Sequence, residues 1–124
     1  MNNNLGPFSV GGRLRSLGHA LAGLRLLMGQ QNAWIHAVAS LAVVAAGAAF
    51  RVSALEWCLL ILAIMAVWVA EALNTAVEQL CDLVSPEFHP LVKKAKDVAA
   101  AAVLCSALGA VAIGLVVFLP YGLG

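Results

Sequence analysis

The stretch WCLLILAIMAVWVAEALNTAVE, residues 57–78, decides the fold of this chain. Its first fourteen residues carry no charge, and the next eight contain two carboxylates and an amide, Glu71, Glu78 and Asn74. In a helix of about 3.6 residues per turn, positions 71, 74, 75, 78 and 82 lie on one face. Ionisable groups at membrane depth are costly and usually mark chemistry or a transport path. The stretch therefore predicts a membrane-spanning helix with a functional polar stripe.

The composition is that of a membrane protein. Hydrophobic residues make up 63% of the 124 residues, charged residues make up 10%, and the mean hydropathy is +0.97. A soluble domain of this length cannot bury so much apolar surface. We therefore expect a single all-α membrane domain. A span needs about 20 apolar residues, and three fit: residues 33–50, residues 54–80 with the helix extending to about 82, and residues 98–119, where Pro120 is expected to end the last helix.

The N-terminal region divides into two parts. Residues 1–12 are polar and contain glycine, which predicts a disordered tail, and they lack the pattern of a signal peptide. Residues 13–29 place leucines at 14, 17, 21 and 24 on one face, with arginine and histidine away from it. This pattern favours a basic amphipathic helix on the membrane surface. An extension leading into the first span is an equally good interpretation.

Basic residues predict the orientation. One arginine, Arg51, follows the first span, and the other six basic residues lie before the first span or between the second and third: Arg13, Arg15, Arg25, Lys93, Lys94 and Lys96. Short cytoplasmic segments carry an excess of lysine and arginine. The N-terminus and residues 81–97 are therefore expected in the cytoplasm.

The second helix is longer than a membrane is thick. Residues 53–82 would span about 45 Å, against a hydrocarbon core of about 30 Å. Glu78 and Asp82 should therefore reach water, with Glu71 deeper. Glu71 suits a general base acting on a lipid-borne hydroxyl, and Glu78 suits a hard cation such as Mg²⁺. The alternative is that the stripe makes interhelical polar contacts and ends in a solvated helix terminus.

Residues 85–97, SPEFHPLVKKAKD, hold the densest charge in the chain. A helix beginning after Pro90 with three nearby lysines is a natural phosphate site, because its N-terminal N–H groups are free. For Lys93 and Lys94 we favour membrane anchoring, and for Lys96 and Asp97 a functional role. No Walker A motif occurs, so a glycine loop would not hold a nucleotide.

The order of these motifs resembles the bacterial integral-membrane diacylglycerol kinase and undecaprenol kinase family. The resemblance is carried by E-x-x-N-T-A-x-E at 71–78, E-F-H at 87–89 and A-K-D at 95–97, and it covers about residues 20–119. It implies a homotrimer of three-helix subunits with a surface helix, in the bacterial inner membrane. It also implies transfer of the γ-phosphate of Mg-ATP to a lipid alcohol, diacylglycerol or undecaprenol, with no nucleic-acid partner.

The resemblance assigns roles by position. Glu71 would be the base that meets the lipid substrate, Asn74 would support the site, and Glu78 would bind metal and nucleotide. The remaining nucleotide contacts would be Glu87, His89, Lys96 and Asp97.

Gln30 departs from the family pattern, because many members carry a second metal-binding glutamate there. No Asp or Glu occurs before Glu56 to replace it. A Gln carbonyl ligates a hard cation without charge, so weaker metal binding is expected. The neighbouring residues resemble the undecaprenol-kinase side of the family and assign Asn32 and His36 to the lipid substrate; a buried, hydrogen-bonded histidine is the alternative for His36.

Two other functions remain open from the sequence: a catalytically silent relative with an assembly role, for which Gln30 argues, and an ion-coupled channel or transporter subunit that uses Glu71. The cysteines, Cys58, Cys81 and Cys105, have no motif spacing and are interpreted as apolar fillers. Small residues recur every four positions in the last span and favour close helix packing, between subunits or within one: Ala102, Ser106, Ala110 and Gly114.

Overall fold

The computed structural model describes residues 7–124, and these residues form four helices without a strand. The helices are α1 (Val10–Met28), α2 (Ala33–Phe50), α3 (Ala54–Val84) and α4 (Pro90–Leu123). The last three are long and apolar enough to cross a membrane. The all-α class and the three spanning helices predicted from the sequence are therefore confirmed.

Contacts divide the chain into two compact units, one ending at Trp34 and the other running from Ile35 to Gly124. In the first unit, α1 begins at Val10, because the Ser9 side chain caps it and accepts a hydrogen bond from Gly12 N–H at 3.0 Å. Residues 10–12 of the expected disordered tail are thus helical, and residues 1–6 of that tail lie outside the described residues.

In the second unit, a tight turn joins α2 to α3. Arg51 has a φ of 53°, and two bonds close the end of α2: Arg51 N–H to the Ala48 carbonyl at 3.3 Å and Val52 N–H to the Gly47 carbonyl at 3.2 Å. This is a Schellman motif, which usually places glycine at the left-handed position. Ser53 and Glu56 then form a capping box that starts α3. The turn fixes the register of α2 against α3.

α3 runs for 31 residues, a length of about 46 Å. It ends two residues beyond the expected Asp82, at Val84, and residues 85–89 lead into α4. His89 caps α4 by accepting from Leu91 N–H at 3.1 Å, and Pro90 occupies the first turn. Proline is favoured there because its missing N–H would have no partner in the helix.

The expectation that Pro120 ends the last helix is wrong, because α4 continues to Leu123. Pro120 lacks an N–H and so removes one helical hydrogen bond. The residue after it is also held in place: the Tyr121 hydroxyl donates to Glu56 of α3, and the Tyr121 ring stacks on Phe50 with centroids 5.7 Å apart. These contacts stabilise the last turn.

The core of the second unit is small. Val52, Leu60 and Val117 form its buried cluster, and Trp57 packs against it and lies over Gly47, where a Cβ would come within 2.7 Å of the Trp57 ring. Most large apolar side chains of the three long helices are exposed. A surface of this kind suits lipid or other protein chains rather than water.

The repeated small residues of α4 line open space in this unit. Ala102 and Ser106 line a groove against α3, and Ala110 and Gly114 line a small cavity with residues of α2 and α3. Ala102 is exposed, and a Cβ at Gly114 would meet nothing within 4 Å, so these residues are not closely packed within the unit.

The Gly47–Trp57 contact predicts a defined mutational cost. Gly47→Ala should destabilise the protein by about 1–3 kcal/mol, since the added methyl group overlaps the indole and forces it out of the core. Thermal unfolding in detergent measures this cost.

Two controls make the test specific. Gly109→Ala should not destabilise the protein, because a Cβ at Gly109 meets nothing within 4 Å and alanine is the better helix former. In the Trp57→Leu background, Gly47→Ala should lose most of its effect. Equal destabilisation at positions 47 and 109 would contradict the steric explanation.

Candidate active site

The polar residues of α3 form a stripe, here called the α3 stripe, that changes from buried to exposed toward the 85–89 loop. Glu71 is 5% exposed and Thr75 is 9% exposed. Asn74 is half-buried, whereas Glu78 and Asp82 are exposed. The 3.6-residue period places all five on one side of α3, as the sequence predicts.

Glu71 contacts α2 through a single side chain. His36 Nε2 lies 3.2 Å from Glu71 Oε2, and the two side chains retain only 16% and 7% of their accessible surface. A buried carboxylate requires a hydrogen-bond donor or an opposite charge. His36 meets this requirement from a position 35 residues earlier in the chain.

A second polar contact between α2 and α3 lies one turn away. Trp68 Nε1–H donates to Ser40 Oγ at 3.0 Å, and the Ser40 hydroxyl donates to the His36 carbonyl at 2.7 Å. The Trp68 ring meets the His36 ring edge-on, with centroids 5.8 Å apart. The hydrogen bonds tie this turn of α2 to α3, and the Trp68 ring packs against the imidazole that meets Glu71.

Asn74 and Glu78 are hydrogen-bonded to each other. Asn74 Nδ2 donates to Glu78 Oε1 at 3.3 Å. The Asn74 Oδ1 atom is buried and has no hydrogen-bond partner within residues 7–124. An unpaired buried acceptor is costly, so this oxygen is available to a donor group of a ligand.

Where α3 meets the loop, the structure forms a cavity of about 330 Å³, here called the loop cavity. Three of the four nucleotide-contact candidates that follow α3 line it, namely Glu87, His89 and Lys96. The remaining lining residues are Asp82, Ser85, Pro86, Phe88, Val92 and Lys93. Acidic and basic groups thus face one concave space next to the exposed end of the α3 stripe.

Two ion pairs border this region. Lys96 Nζ lies 2.7 Å from Asp82 Oδ1 and so joins α4 to the α3 stripe. Lys93 Nζ lies 2.6 Å from Asp97 Oδ2 on the same helix. Asp97 is not among the residues that line the loop cavity, although the sequence assigned it to the nucleotide. Both pairs are largely exposed, and exposed pairs contribute little stability, so a ligand can displace them at low cost.

A larger apolar groove of about 780 Å³, here called the α3–α4 groove, lies between these two helices. Its three polar residues are Asn74, Lys94 and Ser106, and small or aliphatic side chains form the rest of its lining. The groove thus begins at the α3 stripe and continues along apolar surface.

The described residues offer a divalent cation few ligands. No group of three or more His, Cys, Asp or Glu side chains placed to hold a metal occurs within residues 7–124. Glu78 is the carboxylate next to Asn74. Gln30 and Asn32 lie in the turn between α1 and α2, and they belong to the unit that ends at Trp34.

Sequence reasoning missed the partners of several site residues. Asp82 was recognised in the stripe but given no role, and it holds Lys96. Ser40 and Trp68 were not singled out, and they stabilise His36. Their spacing was a usable signal: Ser40 is four residues from His36 and Trp68 is three from Glu71, so each pair shares a helix face.

Comparison with known proteins agrees with this arrangement. The undecaprenol kinase of Bacillus subtilis is 42% identical over 91 residues, covering 73% of this chain and 74% of that protein. The diacylglycerol kinase of Synechocystis is 40% identical over 92 residues, covering 73% of this chain and 53% of that protein. The diacylglycerol kinase of Escherichia coli K12 is 34% identical over 105 residues, covering 79% of this chain and 81% of that protein.

The sequence profile of prokaryotic diacylglycerol kinases matches residues 18–118, a range that contains the α3 stripe, the loop cavity and His36. With a match over most of the chain, and with the polar groups gathered at one end of three spanning helices, the chain belongs to the prokaryotic diacylglycerol kinase family.

Proposed function

We propose that this protein is a membrane lipid kinase that transfers the γ-phosphate of ATP to a lipid alcohol. One observation carries the proposal: a buried carboxylate, Glu71, lies on the same helix face as the exposed Glu78, seven residues away next to a charged cavity. That spacing is about 10 Å along the axis. A lipid hydroxyl reaching Glu71 and a nucleotide in the loop cavity would meet along the stripe.

The transfer needs few protein groups. Glu71 accepts the proton of the lipid hydroxyl, the hydroxyl oxygen bonds to the γ-phosphorus, and the bond from phosphorus to the ADP oxygen breaks. Phosphoryl transfer depends mainly on positioning and charge neutralisation. The unpaired Asn74 Oδ1 can accept a hydrogen bond from a substrate donor, and this supports its role in holding the substrate.

The loop cavity suits the nucleotide. Lys96 and Lys93 supply positive charge for phosphate oxygens, and His89 lies at the N-terminus of α4, where backbone N–H groups also favour anions. Glu87 on the same wall can accept from amino or hydroxyl groups of the nucleotide.

The donor set fits a Mg²⁺ ion that arrives with the nucleotide. Mg²⁺ is usually held by one or two carboxylates together with substrate phosphates and water, and Glu78 supplies one carboxylate, oriented by Asn74. When bound, the ion would neutralise charge on the phosphate oxygens. Gln30 would add at most a neutral ligand.

The lipid acceptor is diacylglycerol or undecaprenol. Relatives bearing both names share 34–42% identity with this chain. The α3–α4 groove is apolar, has small side chains and contains Asn74, so it suits a long hydrocarbon chain whose hydroxyl lies near the stripe.

For topology and assembly, we propose an inner-membrane homotrimer with the N-terminus and the 85–89 loop in the cytoplasm. The distribution of arginine and lysine supports this orientation. The exposed apolar surfaces of α2, α3 and α4 support burial against lipid and neighbouring copies. Five leucines of α1 are exposed alongside its arginines, which supports a helix on the membrane surface: Leu14, Leu17, Leu21, Leu24 and Leu26.

Replacing the base should stop the reaction. Glu71→Gln should reduce transfer of labelled phosphate from ATP to either lipid alcohol by at least about 10³-fold, because the amide cannot accept the proton. The assay uses the purified protein in mixed micelles, with size-exclusion chromatography to show that the oligomer is retained. Retained activity would contradict the assignment of Glu71 as base.

Removing the charge of Lys96 should weaken nucleotide binding. Lys96→Gln should raise the KM for ATP about tenfold, the effect of losing one favourable contact of about 1.4 kcal/mol. Steady-state kinetics over a range of ATP concentrations measures it. Lys94→Gln is the matched control, because it makes the same charge change on the same helix but outside the loop cavity. An equal effect of both variants would argue for a general charge effect.

Restoring an acid at position 30 should strengthen metal binding. Gln30→Glu should lower the Mg²⁺ concentration for half-maximal activity, because a charged carboxylate binds this cation better than an amide. Gln31→Glu, which adds the same charge one residue along, serves as the control. An unchanged Mg²⁺ requirement in Gln30→Glu would count against the placement of Gln30 near the metal.

A further inference from the structure

The side chain of His36 has no role in the transfer described above, yet it makes the closest polar contact of the buried Glu71. Its Nε2 lies 3.2 Å from Glu71 Oε2. An ionised carboxylate only accepts hydrogen bonds. For Glu71 to act as a base, its carboxylate must be free of a proton. The Nε2 atom of His36 must therefore carry the proton and donate a hydrogen bond to Oε2.

We propose that His36 is the positioning residue of Glu71 and not a contact of the lipid headgroup; this inference rests on the proposed lipid kinase function. The Nε2–H group holds Oε2 and leaves Oε1 free to take the proton of the acceptor hydroxyl. Because Nε2 is occupied by Glu71, that nitrogen is not available to a headgroup.

The surroundings of His36 restrict its ring as such a role requires. The Ser40 hydroxyl bonds to the His36 carbonyl, and Trp68 Nε1–H bonds to the same Ser40 oxygen, so this turn of α2 is tied to α3. The Trp68 ring meets the edge of the imidazole. Groups that position a catalytic side chain are effective when their own rotamers are locked by packing and hydrogen bonds.

The geometry also explains why the contact matters at this depth. Glu71 is 5% exposed, and water has little access to it. Burying a carboxylate is costly unless a hydrogen-bond donor compensates for the lost hydration. Without His36, Glu71 would lose the hydrogen bond that holds Oε2, and its side chain would rotate more freely.

The test compares three full-length variants in mixed micelles. His36→Leu should reduce kcat about 100-fold, as expected for a misplaced catalytic group, with little change in the KM for ATP. His36→Gln retains an N–H donor and should recover most of the lost kcat. Tyr121→Phe removes the hydrogen bond from α4 to Glu56, at the opposite end of α3 from the site, so it should lower the thermal unfolding temperature while leaving kcat close to that of the wild type.

A chemical probe reads the contact independently of turnover. A hydrophobic carbodiimide adds to the protonated carboxyl of a buried glutamate: the carboxyl proton goes to a carbodiimide nitrogen and the carboxylate oxygen to its carbon, before rearrangement to a stable N-acylurea. Labelling at position 71, measured by mass spectrometry of the peptide, should increase in His36→Leu over the wild type. It should be absent in Glu71→Gln.

The outcomes separate the two claims. An active wild type whose kcat is unchanged by His36→Leu overturns the positioning role, whatever the labelling. It is also overturned if His36→Leu lowers kcat no more than Tyr121→Phe does. If the wild type transfers no phosphate, the proposed function fails, and the labelling alone decides whether His36 holds Glu71: increased labelling supports the contact, and unchanged labelling overturns it.

Discussion

A carboxylate buried on an apolar helix must have a partner, and this constraint organises the second unit. Glu71 finds that partner on α2, so the two helices must be aligned to bring His36 to it. The tight turn at Arg51 sets the alignment, and Gly47 permits it by leaving room for the Trp57 ring. A one-residue slip of α2 would separate the imidazole from the carboxylate and leave a buried charge unpaired.

The packing of α4 against α3 supplies the rest of the site. At one end Lys96 meets Asp82, and at the other Tyr121 meets Glu56, so the two helices run antiparallel over almost their whole length. Small residues of α4 lie between these ends and leave the α3–α4 groove open. Charged groups therefore collect at the loop, and apolar space lies beside the stripe.

Local sequence patterns predicted the features that depend on a single helix, namely its polar face and its length. The spacing of Glu71, Asn74 and Glu78 was enough to place them on one face, and composition was enough to predict three spans. The gradual exposure of the stripe followed from the length of α3. These features need no knowledge of how helices pack.

The partner of His36 depends on two helices and could not be predicted. The sequence allowed a headgroup contact or a buried hydrogen bond for His36, and the 35 residues between it and Glu71 conceal which side chain it meets. The Lys93–Asp97 pair lies within one helix, so its four-residue spacing was a signal that the sequence analysis did not use. Pro120 ends many helices, but the contact of Tyr121 with Glu56 lets this helix continue.

The cap of α4 has a consequence for how the loop meets its ligand. His89 uses Nδ1 to accept from the backbone of Leu91, and a nitrogen with a free lone pair cannot also carry a proton. While α4 keeps its cap, Nδ1 is occupied and Nε2 is the ring nitrogen left to meet a ligand. A proton on Nε2 lets the ring bind a phosphate or hydroxyl oxygen as a donor.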